Sequence, residues 1–303
     1  MPALICGSLA FDTITTFPGR FRDQILPEQI HILNVSFLVP SMRREFGGCA
    51  GNIAYSLKQL GGEPVVMATL GADGGAYRER FASMGIDHQF VRVIEDTYTA
   101  QAFCITDQDN NQLWAFHPGA MQLAHLTQVE RRPDIRIAIV APDGRDAMLA
   151  HAAQLAEAGI PFIFDPGQGL PMFEGEDLRR FVSQATWIAV NDYEAKMLCE
   201  RTGMDLAEMS RASHLQGIVV TLGAEGCELW RAGVRAHVPG VAAEKVVDPT
   251  GCGDAFRAAL LYGLERGWPL ERCAELGNRV GAVKIACAGP QNHRLDRGAL
   301  GLA

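Results

Sequence analysis

The chain has 303 residues and a formal net charge of −8, and is 48% hydrophobic and 20% charged. That balance suits one large α/β domain and argues against nucleic acid as a partner, because a polyanion calls for a basic surface. No apolar run approaches the roughly 18 residues of a membrane span, and the start Ala3-Leu4-Ile5-Cys6 lacks a basic flank, so neither an anchor nor a secretory signal is expected.

Taken in order, residues 3–9 read as a buried strand ending near Asp12. Residues 13–40 show no helix; Phe17-Pro18-Gly19-Arg20-Phe21 reads as a turn, and 30–39 alternates loosely like a strand. Residues 51–60 form a helix with Ile53, Leu57 and Leu60 on one side, 64–70 a strand, and 77–84 a helix closed by Gly85. Residues 90–94, 100–106 and 112–116 read as three strands, with Asp107-Gln108-Asp109-Asn110-Asn111 as a hairpin turn. These strands do not alternate with helices, so they are expected to form a small separate sheet. From residue 135 the pattern becomes strand–helix–strand: 135–141, 147–158, 161–165, 187–190 leading into a helix at Asp192, then 217–222, and helices over about 253–266 and 270–287. Alternation of this kind predicts a mostly parallel sheet with helices on both faces, and ligands at the carboxyl ends of its strands.

Two glycine-rich segments open helices. The first is Gly47-Gly48-Cys49-Ala50-Gly51-Asn52, and the second is Asp248-Pro249-Thr250-Gly251-Cys252-Gly253-Asp254-Ala255-Phe256. The first amides of a helix lack internal partners and carry the positive end of its dipole, so the second turn can hold an anion. Asp254 would then stand beside a bound phosphate and take a proton from an attacking hydroxyl, the chemistry of a small-molecule kinase. A dinucleotide fingerprint fails because Phe256 stands where a small residue is needed, and no Walker-type phosphate loop occurs. Arg257, one turn further on, reads as a helix-surface residue. The eight cysteines show no metal spacing and read as reduced thiols of a cytoplasmic protein. Cys49 and Cys252 lie inside the glycine-rich turns, and thiol reagents are expected to inactivate through one of them, with bound ATP or substrate protecting.

With Asn191-Asp192-Tyr193-Glu194 and Thr221-Leu222-Gly223-Ala224-Glu225-Gly226 between them, the two segments resemble, in order and spacing, the signatures of the PfkB or ribokinase family of carbohydrate and nucleoside kinases. The resemblance implies a single ribokinase-like domain over 1–303, a three-layer α/β/α fold with a mostly parallel sheet. It also implies a small β-sheet lid from about 13–40 and 88–120. It implies that Gly251, Cys252 and Gly253 form the anion hole and that Asp254 is the base. Asn191, Thr221, Gly223 and Gly226 would meet ATP, and Asn191 with Glu194 would hold Mg2+ through water. Asp248 and Thr250 would help bind a monovalent cation, usually K+.

For the acceptor, Asp12 follows the first strand, where its carboxylate can take two vicinal hydroxyls. Ala10 stands where free-sugar kinases usually carry asparagine. Segments 17–21, 26–28, 36–39 and 115–121 resemble the bacterial adenosine kinase and nucleoside kinase branch. By that resemblance Ser8, Asp12, Gly48 and Asn52 hold the ribose, Ser36 and Phe116 meet the base, and the lid pairs two copies into a homodimer. Alanine at 102, where some adenosine kinases carry a second phenylalanine, leaves a broader purine nucleoside kinase open beside adenosine kinase, with a sugar kinase as the remaining alternative.

Overall fold

The computed structural model describes residues 1–25, 31–32, 34–129 and 132–302. Its strands are β1 (Pro2–Cys6), β2 (Ala10–Thr16), β3 (Ser41–Gly47), β4 (Glu63–Gly71), β5 (Asp87–Ile94), β6 (Ala100–Thr106), β7 (Gln112–His117), β8 (Ile137–Val140), β9 (Phe162–Phe164), β10 (Trp187–Asn191), β11 (Gly217–Thr221), β12 (Gly226–Arg231) and β13 (Val234–Pro239). The α-helices are α1 (Cys49–Gln59), α2 (Gly75–Met84), α3 (Arg145–Ala158), α4 (Gly175–Gln184), α5 (Asp192–Thr202), α6 (Leu206–Ser210), α7 (Cys252–Leu264) and α8 (Leu270–Ile285).

The large sheet runs β13-β12-β11-β10-β9-β8-β1-β4-β5 and is parallel except for β12, which pairs antiparallel with both β11 and β13. Side chains alternate across a strand, and each face has its own core. Ala3 and Ile5 of β1, Ile137 and Ile139 of β8, and Ala189 of β10 pack with α1, α2, α7 and α8. Leu4 and Cys6, Ala138 and Val140, and Ile188 and Val190 pack with α3, α4, α5 and α6. The result is the expected three-layer α/β/α arrangement, in which near-continuous apolar strands are buried on both faces.

The small sheet runs β3-β2-β6-β7, with β2 and β6 parallel and the outer pairs antiparallel. Its composition differs from the expectation in two places. Residues 87–94 do not join it: β5 pairs in parallel with β4 at the edge of the large sheet. Within the expected strand over 30–39, residues 34–39 are irregular, and Ile30 and Leu33 lie outside the described residues, as does the segment Leu26-Pro27-Glu28. The alternation there serves ring packing instead, because Phe37 lies 5.0 Å from both Phe17 and Phe21. The fourth strand is β3, whose Arg43, Arg44 and Glu45 hide it from a hydrophobic pattern. The turn at 107–111 is built as expected, with Asp107 accepting from the amides of Phe21, Asp109 and Asn111.

The parallel strands end on one edge. Ser8, Asp143, Asp165, Asn191 and Thr221 follow or close β1, β8, β9, β10 and β11 there, and β2 leaves that edge to enter the small sheet.

Candidate active site

Two helix N-termini meet over this edge. Gly48 caps α1 with φ 82°, and a Cβ there would stand 2.5 Å from Ser8 O and 2.7 Å from Ala10 N. Gly251 caps α7 with φ 80°, and a Cβ there would stand 2.8 Å from Pro290 Cβ. Only glycine combines such a backbone with such close neighbours. Across the junction Asn52 Nδ2 donates to Asp254 Oδ2 at 2.8 Å.

The orientation of Asn52 is fixed from behind. Its Oδ1 accepts from Gln291 Nε2 at 3.0 Å, and the same nitrogen donates to Tyr77 Oη at 2.8 Å, which in turn donates to Gly47 O at 2.6 Å. Gln291 Oε1 accepts from Arg80 Nε at 3.2 Å, and Arg80 also donates to Gln291 O at 2.9 Å. A guanidinium can only donate, so it dictates which end of Gln291, and hence of Asn52, faces each partner. The amide of Asn52 is thereby set to donate to Asp254. Gly51 is required here as well, since a Cβ would collide with Tyr77 Oη.

Asp254 is half-buried, in the first turn of α7. Burial pushes its carboxyl up to about 6; the Asn52 donor opposes this, Asp165 adds to it, and Arg257 opposes it. Asp12 is likewise pushed up to about 6, by burial, Glu45 and Asp248. It packs against Gly47, where a Cβ would be 2.5 Å from Asp12 Oδ2. Gly47 also accepts the Tyr77 hydroxyl, so one chain of contacts links Asp12 to Asp254.

The anion-binding turn departs from expectation in one amide. Cys252 N–H donates to Pro249 O at 3.1 Å, so its amide is engaged within the loop. The amides of Gly253 and Asp254 precede the first helical bond, from Ala255 N to Gly251 O at 2.9 Å, and remain for an anion. Burial holds the Cys252 thiol at about 11, and burial with Asp254 and Asp165 holds the Cys49 thiol well above its usual range. The thiolate is the reactive form, and burial disfavours it at both cysteines.

Beside the turn lies a buried ion pair that the sequence reading assigned to the surface. Arg257 is 4% exposed, and its Nη2 donates to Asp165 Oδ1 at 3.2 Å. A signal was present, because the residues around it in α7 (Ala-Phe-Arg-Ala-Ala-Leu-Leu-Tyr) are apolar on every side, and such a helix is buried. Gln291 carried no comparable signal.

Asn191 and Glu194 form a reciprocal cap of α5. Glu194 N donates to Asn191 Oδ1 at 2.7 Å, while Asn191 N and Nδ2 donate to the two Glu194 oxygens at 2.9 and 2.8 Å. Burial and then Asp165 raise the Glu194 carboxyl. Each carboxylate oxygen keeps acceptor capacity beyond that one bond, and the site concentrates negative charge, so these residues fit a Mg2+ ion held through water. Thr221 closes β11 with its hydroxyl on Val190 O at 3.4 Å. Gly223 has φ 60° with open space around it, whereas Gly226 is a tight turn in which a Cβ would collide with Val238 O. Ser8 Oγ accepts from Cys49 N at 3.2 Å, so it caps α1.

Phe116 and Ser36, expected to meet the base, lie away from Asp254. Asp12, Ala102 and Phe116 are cross-strand neighbours on β2, β6 and β7 and share one face. Two strand spacings separate Asp12 from Phe116, about 10 Å. Phe103 falls on the opposite face. Phe116 is 55% exposed, and Ser36 is exposed in the irregular stretch 34–39.

The Asp248–Thr250 loop does not fit an added monovalent cation, because the Lys284 ammonium already sits on its backbone oxygen. Both Asp248 carboxylate oxygens accept amides, from Thr250 at 2.9 Å and Gly289 at 2.8 Å, and the backbone oxygen of Asp248 accepts from Lys284 Nζ at 2.7 Å.

The profile of pfkB family carbohydrate kinases matches residues 19–297. The nucleoside kinase of Burkholderia thailandensis, solved in complex with inosine, superposes with a TM-score of 0.87 at 51% identity, covering 98% of this chain and 95% of that one. The same enzyme solved with ADP-inosine gives 0.85 at 52% identity, covering 98% and 93%. The nucleoside kinase of Methanocaldococcus jannaschii is 27% identical over 263 residues, 86% of this chain and 85% of that protein.

The Arg257–Asp165 pair makes a test of burial. Arg257→Leu strands a carboxylate in the interior and is expected to cost about 3–5 kcal/mol, while the double variant Arg257→Leu/Asp165→Leu recovers most of that loss. Chemical denaturation of the three proteins checks both statements.

Proposed function

The chain belongs to the pfkB family of carbohydrate kinases, and within it we propose an ATP-dependent nucleoside kinase that phosphorylates the 5′-hydroxyl of purine nucleosides, adenosine and inosine among them. The observation that carries this reading is the placement of Asp254 between the Asn52 donor and the open amides of α7. A 51%-identical relative solved with inosine supports a nucleoside as acceptor. The sugar-kinase alternative has no comparable support.

On this reading the ribose diol lies against Asp12, which accepts from both hydroxyls, with the Gly48 and Asn52 turn beside it. The 5′-hydroxyl then points to Asp254, which accepts its hydrogen bond and then its proton as the oxygen attacks the γ-phosphorus. The amides of Gly253 and Asp254 face the charge that develops on the transferring group. Thr221 and Gly223 border the nucleotide along β11, and Asn191 with Glu194 would hold Mg2+, which when bound neutralises phosphate charge. The base spans the roughly 10 Å to Phe116, where an aromatic face stacks on any purine. Ala102, directly opposite Phe116, offers no hydrogen-bonding side chain to separate a 6-amino from a 6-oxo purine. That argument favours breadth over strict adenosine selectivity. The small sheet would act as a lid that excludes water, and the unpaired edge of β7 suits pairing with a second copy.

A panel of adenosine, inosine, guanosine, cytidine, ribose and fructose, read by ADP release from MgATP, tests the assignment. Turnover of adenosine and inosine at comparable kcat/KM is expected, with ribose and fructose at least ~100-fold worse. Turnover confined to a free sugar would remove Phe116 and Ser36 from base binding.

Asp254→Asn is expected to lower kcat by ~100-fold or more. The carboxyl titrates near 6 when folded, against 3.8 for the ordinary group, so ionising it costs stability as the pH rises through that window. The Asn variant should therefore be more stable than the parent, by a margin that grows between pH 4 and about 6 and then levels. In the parent, kcat/KM should fall as the pH drops through about 6, where Asp12 and Asp254 take up protons.

Gln291→Glu tests how Asn52 is held. The carboxylate keeps Arg80 as its partner but cannot donate to Asn52, whose amide then turns its oxygen toward Asp254. A kcat loss of ~10-fold or more is expected with little change in melting temperature. Equal loss of kcat and of stability would assign Gln291 to packing alone.

A further inference from the structure

The loop before the anion-binding turn is fastened to the end of α8 by a side chain that nothing in the sequence marked. Lys284 stands in the last turn of α8 and is 0% exposed. Its Nζ donates to Asp248 O at 2.7 Å and to Cys287 O at 3.2 Å. Around this pair, Val247 and Asp248 N–H donate to Ile285 O at 2.9 and 3.1 Å. The Asp248 carboxylate takes the amides of Thr250 and Gly289. Burial opposes charge on Asp248, yet these amides and then Lys284 outweigh it and hold its carboxyl below the usual range.

These are the surroundings a small monovalent cation seeks. Carbonyl oxygens converge at the negative end of a helix dipole, a carboxylate lies close by, and water is excluded. A buried ammonium without such partners would be strongly unfavourable. The Asp248 and Cys287 carbonyls are already taken by a cation tethered to α8, so a potassium ion entering here would meet its charge at close range.

We propose that the Lys284 ammonium is a built-in monovalent cation that fixes residues 247–251, so that phosphoryl transfer by this chain requires no potassium. The turnover part of this inference rests on the kinase reading above. The structural part does not. The fastened loop leads directly into Gly251, whose φ of 80° and close approach to Pro290 allow one path into α7. Holding Asp248 therefore sets where the Gly253 and Asp254 amides point, and small displacements of such groups are costly, on the order of 100-fold for 1 Å. Lys284 touches neither nucleotide nor acceptor on this account, so it is a positioning residue.

The experiment compares the parent, Lys284→Ala and Lys284→Met in potassium, ammonium and tetramethylammonium chloride at equal ionic strength, following both ADP release and melting temperature. The parent is expected to show the same kcat in all three salts within about twofold, and the same melting temperature. Lys284→Ala removes the ammonium with three methylenes and so opens room for a monovalent ion and water. It should lose ~100-fold in kcat in tetramethylammonium and regain ~10-fold or more in potassium or ammonium, with melting temperature rising in parallel. Lys284→Met keeps the stem, leaves no room for an ion, and should show the loss without the rescue. Activation of the parent by potassium beyond about fivefold would overturn the proposal. So would an Ala variant with parental rate and stability, or one that no cation restores. If no acceptor turns over in any salt, the kinase reading fails, and the melting temperatures still decide whether Lys284 occupies a cation's place.

Discussion

The hydrogen bond from Asn52 to Asp254 joins the first turn of α1 to the first turn of α7, and the rest of the site is arranged to permit it. Two positive helix ends are brought to one place, which favours an anion between them. The approach is tight enough that Gly48, Gly51 and Gly251 each lack room for a Cβ. The same crowding raises the Asp254 carboxyl to about 6. That shift corresponds to about 3 kcal/mol of opposition to the ionised form. A carboxylate so placed is a better proton acceptor than an ordinary aspartate, and the fold bears the cost through the packing around it.

Several charges gather at this edge of the large sheet. Asp165, Arg257 and Glu194 lie on the α5 side of the junction and Lys284 lies behind the 248–251 loop. Neither buried cation stands alone. Arg257 is paired with Asp165, and Lys284 is surrounded by carbonyls at the end of α8. The segment after α8 completes the arrangement, since Gly289 binds Asp248, Gln291 binds Asn52, and His293 O accepts from Tyr55 and Gln59 of α1. Residues near both ends of the chain are thus tied through one short stretch. Its removal would loosen both glycine-rich turns together.

What the sequence made legible follows from periodicity and from backbone chemistry. Strands such as β1, β8 and β10 are apolar on both faces and are bounded by turn residues, so their order and the parallel sheet could be read. The two glycine-rich turns could be read because positive φ and close approach leave few substitutes. β3 could not, because its exposed Arg43 and Arg44 carry no hydrophobic alternation and its register is set by pairing with β2. β5 has strand character that fits either sheet, and only its parallel pairing with β4 decides. Gln291 and Lys284 escaped for a different reason. A buried polar side chain owes its position to partners distant in sequence, 239 residues away for Gln291 and Asn52, and no local pattern reports them.

The contrast between the packed residues around Asp254 and the exposed part of the small sheet bears on selectivity. Asn52 is held by hydrogen bonds before any acceptor arrives, and Asp12 packs against Gly47. Phe116 and Ser36 are exposed on elements with few neighbours. A rigid, polar ribose site discriminates strongly, because an acceptor lacking a hydroxyl leaves a buried carboxylate unpaired. An exposed aromatic ring discriminates weakly, because stacking depends on area more than on the pattern of donors and acceptors. On the proposed function, the chain should therefore recognise the sugar of its acceptor more stringently than the base. On that reading, tightening the choice of base would call for a polar side chain at 102, opposite Phe116, with no change around Asp254.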